Sequence, residues 1–387
     1  MPTAPVPRGD REEVKVINSA CDMTVEELFV AYYDCRKSKR NSASALIFEQ
    51  NLERNLMDLY YELHSGEYRP GRSICFVVEH PKVREVWAAG FRDRVVHHVL
   101  YNRIYERFHN RFIHDSYACI PGKGTHKAVA RAEYMSRSVT QNFSVPGFVL
   151  KMDVANFFVS INKDTLDSLL AKHIPETWWL GLCRAILHHD PVQDCLVKSP
   201  SSLMAKVPAH KSLFNSGGRG LPIGNLSSQF FANVYMNELD QYCKHTLKVG
   251  RYIRYVDDML VFGTDSEKLA SVPPKVDDFL RKNLSLKLHP NKTSINKVEH
   301  GFDAIGYVIR PYARYLRRST LKNAKAKLRQ MCETKQPEHK IRDTANSYLG
   351  ILKQSNSYRS RKSVSKLLLL QIYGYRSNLS TMVLGAK

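Results

Sequence analysis

At 387 residues, 43% hydrophobic and 10% aromatic, the chain can bury one large core or two to three subdomains, and 58 Lys and Arg against 37 Asp and Glu leave it at +21. That excess is more than solubility needs and points to a polyanionic partner. Eight cysteines (21, 35, 75, 119, 183, 195, 243 and 332) form no C-x-x-C pair, residues 1–10 lack a signal pattern, and no apolar run approaches a membrane span. A zinc or disulfide framework and a membrane partner are thereby disfavoured, and a cytoplasmic location is expected.

In chain order, Thr24-Val25-Glu26-Glu27 has capping-box form and opens a predicted helix with the apolar stripe Val25, Leu28, Phe29 and Tyr32. A second helix is predicted along Phe48, Leu52, Leu56, Leu59 and Leu63, ending at Gly66, followed by an extended segment from Ile74 to Glu79. Arg92 to Arg111 reads as a helix with Val95, Val99, Ile104 and Phe108 inward. Gly122-Lys123-Gly124-Thr125 resembles a phosphate-binding loop, but Tyr117 stands where that motif requires glycine, so the loop is at most a basic turn against a nucleic-acid backbone. Mixed strands and helices without regular βαβ alternation favour an α+β fold.

In Phe148-Val149-Leu150-Lys151-Met152-Asp153 the side chains alternate as in a half-buried strand, ending on Asp153. From His188 to Gly218 the chain turns irregular and proline-rich, the mark of an insertion or a functional loop. Gly220-Leu-Pro-Ile-Gly224 then leads into Asn225-Leu-Ser-Ser-Gln229, where glycines allow close backbone approach and small polar residues open a helix; an ordinary loop with a serine cap would read the same way. Asp257-Asp258 lies between Tyr252-Ile253 and Leu260-Val261-Phe262, at the tip of a predicted hairpin. An acidic turn is usually just solvated, yet Asp153 supplies a third carboxylate at a strand end. Three such oxygen donors suit Mg²⁺ or Mn²⁺, and two ions roughly 4 Å apart could activate a 3′-hydroxyl and stabilise leaving pyrophosphate.

From Pro311 onward there are 17 Lys and Arg and three acids (Glu333, Glu338 and Asp343), so +14 of the +21 lies in the last fifth of the chain. Leu321, Ala324, Leu328 and Met331 recur at helical spacing, while Arg314, Arg318, Lys322, Lys325 and Arg329 line another face. A solvated or membrane-surface face is the plain alternative; the absence of acids between Arg314 and Gln330 favours phosphate.

Taken in order, Lys151-Met-Asp-Val-Ala-Asn-Phe-Phe158, Gly220-Leu-Pro-Ile-Gly-Asn-Leu-Ser-Ser-Gln229, Tyr255-Val-Asp-Asp258 and Gly306-Tyr-Val-Ile-Arg310 resemble bacterial reverse transcriptases. The branch most similar includes enzymes of diversity-generating retroelements and defence-associated relatives, with group II intron enzymes more distant. Gly66-Glu-Tyr-Arg-Pro70, Phe91-Arg-Asp-Arg-Val-Val96 and Asp115-Ser-Tyr-Ala-Cys119 extend the likeness from about Thr24 to Arg318. The resemblance implies a right-hand polymerase: an extension at 1–20, fingers at 21–114, a palm at 115–310 with further fingers elements and an insertion at about 188–218, and a basic helical thumb at 311–387.

It also implies residue roles. Asp153, Asp257 and Asp258, with the backbone carbonyl of Val154, would bind two Mg²⁺ ions (Mn²⁺ as substitute). Arg84 and Arg94, favoured over Arg92, would hold the incoming triphosphate. Phe158 matches the steric gate against a ribose 2′-hydroxyl, although alternation turns only one of Phe157 and Phe158 toward a site. Ile223, Gly224, Ser228 and Gln229 match the motif supporting the nascent base pair, and Ile223 in place of a polar residue implies reduced fidelity. Lys123, Gly306, Tyr307, Arg314, Arg318, Lys322, Lys325 and Arg329 would contact nucleic acid, with Ala304 departing from the usual phenylalanine of the primer grip.

The implied activity is cDNA synthesis from deoxynucleotides on an RNA template, expected to be a cognate noncoding RNA, with an accessory protein or a homo-oligomer as further partner. Polymerisation without an RNA template and a catalytically silent RNA-binding scaffold are the alternatives; an RNA-dependent RNA polymerase is disfavoured by Phe158. The chain ends after the thumb, without a maturase, endonuclease or integrase region, so independent mobility is not expected.

Overall fold

The computed structural model describes residues 21–37, 39, 42–79, 82–369 and 375–384, so the expected extension at 1–20 lies outside the described residues. In chain order the elements are α1 (Val25–Arg36), α2 (Ala43–Glu49), α3 (Leu52–Ser65), β1 (Ser73–Val78), β2 (Arg84–Ala88), α4 (Phe91–His109), α5 (Thr125–Val139), β3 (Phe148–Asp153), α6 (Phe157–Ser160), α7 (Lys163–Ala171), α8 (Thr177–His188), β4 (Cys195–Val197), α9 (Ser201–Met204) and α10 (Leu226–Gln241). Then follow β5 (Tyr252–Tyr255), β6 (Asp258–Gly263), α11 (Ser266–Ala270), α12 (Val272–Leu284), β7 (Ser294–Lys297), β8 (Phe302–Ala304), β9 (Tyr307–Arg310), β10 (Ala313–Leu316), α13 (Arg318–Glu333), α14 (Glu338–Lys353), α15 (Tyr358–Leu369), β11 (Tyr375–Ser377) and β12 (Met382–Leu384). The α+β expectation holds. Among the described residues no helix is long and apolar enough to cross a membrane.

Two compact units emerge. One comprises the described residues up to Val78, Arg84–Arg111 and Phe158–Tyr235; the other comprises the described residues between Glu79 and Val83, Phe112–Phe157 and the described residues from Met236 onward.

In the first unit, Thr24 Oγ1 accepts from Glu27 N and Glu27 Oε2 from Thr24 N, so the capping box forms. The buried stripe of α1 is Leu28, Ala31, Tyr32 and Cys35; Val25 and Phe29 are only half-buried, a rotation from the expected face. The predicted second helix is two: the chain breaks at Gln50-Asn51, where Asn51 leaves helical geometry (φ −131°, ψ 50°) and Asn55 Nδ2 donates to the freed Phe48 carbonyl. Gly66 closes α3 in the left-handed region, as its position suggested.

The segment expected to be an irregular insertion is anchored. Strand β4 pairs in parallel with β1, which pairs antiparallel with β2. Buried Glu85 on β2 accepts from the Ser212 hydroxyl and from Leu213 N (2.9 Å). Burying a carboxylate requires such donors, which is why this stretch is held without long secondary structure.

The second unit is built on an antiparallel sheet of order β5-β6-β3-β7. Its core joins α5 (Ala128, Val129, Ala132, Met135) to Val149, Ile253, Leu260 and Phe262, and to Phe302, Tyr307 and Ile309 of a second sheet of order β10-β9-β8. Helices α13, α14 and α15 close over a separate core of Leu328, Met331, Ile341, Ala345, Leu349, Leu352 and Val364.

Candidate active site

The turn joining β5 to β6 is Val256-Asp257, so Asp258 opens β6 rather than sharing the tip, a one-residue correction. Register sets Asp153 directly opposite Asp258, as Met152 is opposite Met259. Asp257 reaches the same strand end through its backbone, its carbonyl accepting from Val154 N at 3.3 Å. All three carboxylates therefore sit at one end of the β3–β6 ladder. Val154 itself is buried and bridges to Leu288.

A two-residue hairpin turn demands positive φ, and Val256 supplies it at φ 57°, a strained conformation for a β-branched residue. Arg254 holds it there. Its Nη1 donates to the Val256 carbonyl (3.1 Å), while Nε lies 2.8 and 2.9 Å from the two carboxylate oxygens of Asp240. Arg254 and Asp240 are wholly buried, and Tyr252 Oη donates to Asp240 Oδ1 at 2.9 Å. On the far side of β5, Arg254 N donates to the Asp115 carbonyl and Tyr117 N to the Arg254 carbonyl, while Arg131 clamps the Asp115 side chain.

Burial and the nearby charges of Asp153 and Asp258 push Asp257 up to about 6. Asp258 is also raised, chiefly by burial, with Lys151 (3.8 Å) pulling the other way. Among the described residues no three Asp, Glu, His or Cys side chains are gathered tightly enough to hold an ion as they stand. The donor set still fits a hard divalent cation: every candidate ligand is an oxygen, and crowded, partly buried carboxylates gain from added positive charge. Lys292 Nζ, 2.8 Å from Asp153 Oδ1, supplies positive charge at one of them.

Residues expected to meet a nucleotide lie in the first unit. Arg84 opens β2, exposed, whereas Arg94 on α4 is half-buried and its guanidinium lowered by burial. Arg92 is committed to structure, pairing with Glu62 and Asp93 and lying over the Tyr68 ring. Phe157 is buried and Phe158 half-exposed, so Phe158 is the one of the pair that can meet a ligand.

Gln229 is exposed on the first turns of α10. The Ile223 carbonyl accepts from Trp87 N at 2.6 Å, and Gly224 follows at φ 130° with the position of an added Cβ only 2.6 Å from the Trp87 carbonyl. Only glycine fits there. Gly224→Ala is expected to destabilise the protein by about 2 kcal/mol or more, measured by urea denaturation; an unchanged midpoint would mean that this loop is free to move off β2.

The nucleic-acid candidates divide. Arg318, Lys322 and Arg329 are exposed on α13 opposite buried Ala324, Leu328 and Met331, and Lys325 Nζ donates to Ser363 Oγ. Arg314 is not on that helix: it lies on β10, half-buried and 3.8 Å from Glu133, because the strand runs to Leu316 before the helix starts. Lys123 donates to the carbonyls of His114 and Ser116, stapling its own loop. Gly306 occupies the β8–β9 turn at φ 88°, while the Tyr307 ring is buried in the core with its hydroxyl donating to the Ile351 carbonyl. The aromatic side chain of Tyr307 is thus a packing element and not an exposed contact.

Sequence reasoning missed Lys292, Lys151 and the Arg254–Asp240 pair. Lys151 carried a usable signal, since alternation puts it on the same strand face as Asp153; the others depend on long-range pairing.

A family model described as reverse transcriptase (RNA-dependent DNA polymerase) matches residues 80–309, more than half of the chain. No curated protein matches. Among solved structures, apo telomerase from Candida tropicalis is similar at 12% identity and TM-score 0.47, covering 78% of this chain and 57% of that one. A form of it truncated from its C-terminal domain gives 14%, 0.44, 64% and 55%. Telomerase from Candida albicans, in complex with a fragment of telomeric RNA, gives 10%, 0.44, 78% and 60%. The chain thus spans little more than half the length of these neighbours. With the family model covering the β3 strand, the Val256-Asp257 hairpin and the first turns of α10, the chain belongs to the reverse transcriptases, RNA-dependent DNA polymerases of the right-hand fold.

Proposed function

We propose that the chain synthesises cDNA from a dedicated RNA template by two-metal nucleotidyl transfer, in antiphage defence or in a diversity-generating retroelement. The observation that carries this reading is the register pairing of Asp153 with Asp258, with Asp257 beside them at the turn. Asp153, Asp257 and Asp258, with the Val154 carbonyl, would hold divalent ions, Mg²⁺ by preference. Such ions lower the pKa of an attacking hydroxyl and neutralise charge on the departing pyrophosphate. Arg84 and Arg94 would bind and orient the triphosphate, since guanidinium groups match phosphate oxygens in pairs. The exposed cations of α13 would track the template–primer backbone, so binding should weaken steeply with salt.

Phe158 would exclude the ribose 2′-hydroxyl. Phe158→Ala is expected to raise ribonucleotide incorporation relative to deoxynucleotide by about tenfold or more, read from single-nucleotide extension with each substrate. Unchanged selectivity would remove Phe158 from that role. Ile223-Gly224 and Ser228-Gln229 support a diversification role in particular, because an apolar Ile223 offers the nucleotide one hydrogen bond fewer and would lower fidelity.

The deciding experiment incubates the purified chain with RNA transcribed from its own locus, Mg²⁺ and labelled deoxynucleotides, then sequences the product. DNA complementary to that RNA supports the proposal. DNA unrelated to any supplied RNA would assign polymerisation without an RNA template, and no product would favour an RNA-binding scaffold.

A further inference from the structure

Asp153 already carries a cation of the chain's own. Lys292 Nζ lies 2.8 Å from Asp153 Oδ1, and the backbone that delivers it is stitched to the end of β3. Ala155 N donates to the Lys287 carbonyl (2.9 Å) and His289 N to the Asp153 carbonyl (2.7 Å). A 3₁₀ turn at Pro290–Lys292 follows, in which His289 Nδ1 accepts from Asn291 N and Lys292 N donates to the His289 carbonyl. The lysine backbone is therefore fixed within reach of Asp153.

The two partners differ in their access to water. The Lys292 side chain is 41% exposed and that of Asp153 10%. A buried carboxylate loses much when left without a counter-charge, whereas a half-exposed ammonium on a flexible stem is readily rehydrated when released. Lys151 stands in a looser relation to Asp258, at 3.8 Å. Both lysines line one groove with Ser294, Asn296 and Asp303. An ammonium and a divalent cation compete for the same oxygen lone pairs, and the tethered ammonium is always present at high local concentration.

We propose that Lys292 is a resident counter-ion that a divalent metal must displace from Asp153, and that it thereby sets the metal concentration at which the site assembles. The inference rests on the metal-binding reading of Asp153, Asp257 and Asp258. Lys292 neutralises Asp153 in the metal-free chain and weakens the first metal-binding step by competition. Lys151, farther from its carboxylate, contributes less.

Mn²⁺ alone, titrated into the full chain without nucleotide or nucleic acid and followed by the electron paramagnetic resonance of the free ion, tests this. Lys292→Gln should bind Mn²⁺ about three- to tenfold more tightly than the unmodified chain, and Lys292→Arg should not. Equal or weaker binding by Lys292→Gln overturns the inference. Asp153→Asn separates the two layers: if it binds Mn²⁺ as the unmodified chain does, the metal-site reading fails. If it loses binding while Lys292→Gln gains none, only the counter-ion role fails. A measurement on the unmodified chain needs no variant to fold: labelling of Lys292 by an amine-reactive probe, read by mass spectrometry, should increase on adding Mg²⁺ up to saturation. Constant labelling contradicts displacement.

Discussion

Asp257→Asn is expected to abolish nucleotide addition, by about 10³-fold or more, and at the same time to make the metal-free protein more stable at neutral pH. The first effect follows from removing a ligand that would help hold the metal charge, worth several kcal/mol at the transition state. The second follows from linkage. Burial, with Asp153 and Asp258 nearby, raises Asp257 from 3.8 to about 6 in the folded chain. A carboxyl raised on folding contributes stability in its protonated form, in full below its unfolded pKa, and that contribution is lost as pH rises through about 6.

Asparagine cannot ionise and so escapes the loss. The variant and the unmodified chain should melt together near pH 4, and the variant should melt higher at pH 7.5. The gap should be on the order of 1 kcal/mol, or about 2 °C, because the carboxyl is only partly buried. Saturating Mg²⁺ should reverse the order at pH 7.5, since on the proposed reading the ion would bind the intact carboxylate cluster and stabilise it by mass action. Thermal melts in chelator and in Mg²⁺ at both pH values, beside a primer-extension assay, check both halves. A variant less stable than its parent at pH 7.5 in chelator would show that Asp257 is held by favourable contacts and not strained by repulsion.

Arg254→Met is expected to be the most damaging single change to stability, at about 3–5 kcal/mol, because it strands the wholly buried Asp240 carboxylate. Asp240→Leu should do comparable harm by stranding the guanidinium. Combining Arg254→Met with Asp240→Leu removes both charges, and replacing a buried ion pair by apolar groups is often nearly neutral, so much of the stability should return. Activity should not return with it. Arg254 Nη1 is also a donor to the Val256 carbonyl, and Val256 sits in a conformation that an unsupported valine would leave. Urea denaturation of the two single variants and the double, set beside primer extension by the double, separates the roles. A stable double variant with unimpaired synthesis would mean that the hairpin holds its own geometry.

The Arg254 result also marks where sequence reading stops. Arginine preceding Tyr-Val-Asp-Asp reads as one more cation in a chain of +21, and only the packing of α10 beneath β5 turns it into a buried ion pair. In the same way Arg314 continues the basic spacing of α13 yet belongs to β10, because strand pairing with Ile309 overrides a periodicity that ignores it. Tyr307 sits in a motif that implies contact with nucleic acid, and its ring is spent on the core. Against these, the strand from Phe148 to Asp153 and the capping box at Thr24 were legible, although both faces of that strand are buried, Val149 on one and Leu150 and Met152 on the other, where the alternation predicted one. Each involves residues within one turn or one strand of each other, and their geometry follows from local periodicity and local hydrogen bonds.

What this sequence determined by itself is therefore the capping box at Thr24, the helix stop at Gly66, the strand ending on Asp153 and the hairpin that carries Asp257-Asp258, because side-chain period and turn chemistry are local properties of the chain. The tertiary structure alone decided the partners: Asp258 and not Asp257 opposite Asp153, Asp240 beneath Arg254, and Lys292 on Asp153 across 139 positions. A one-residue slip in strand register would exchange every one of those neighbours, and register is chosen by the whole packed core rather than by the residues that face each other.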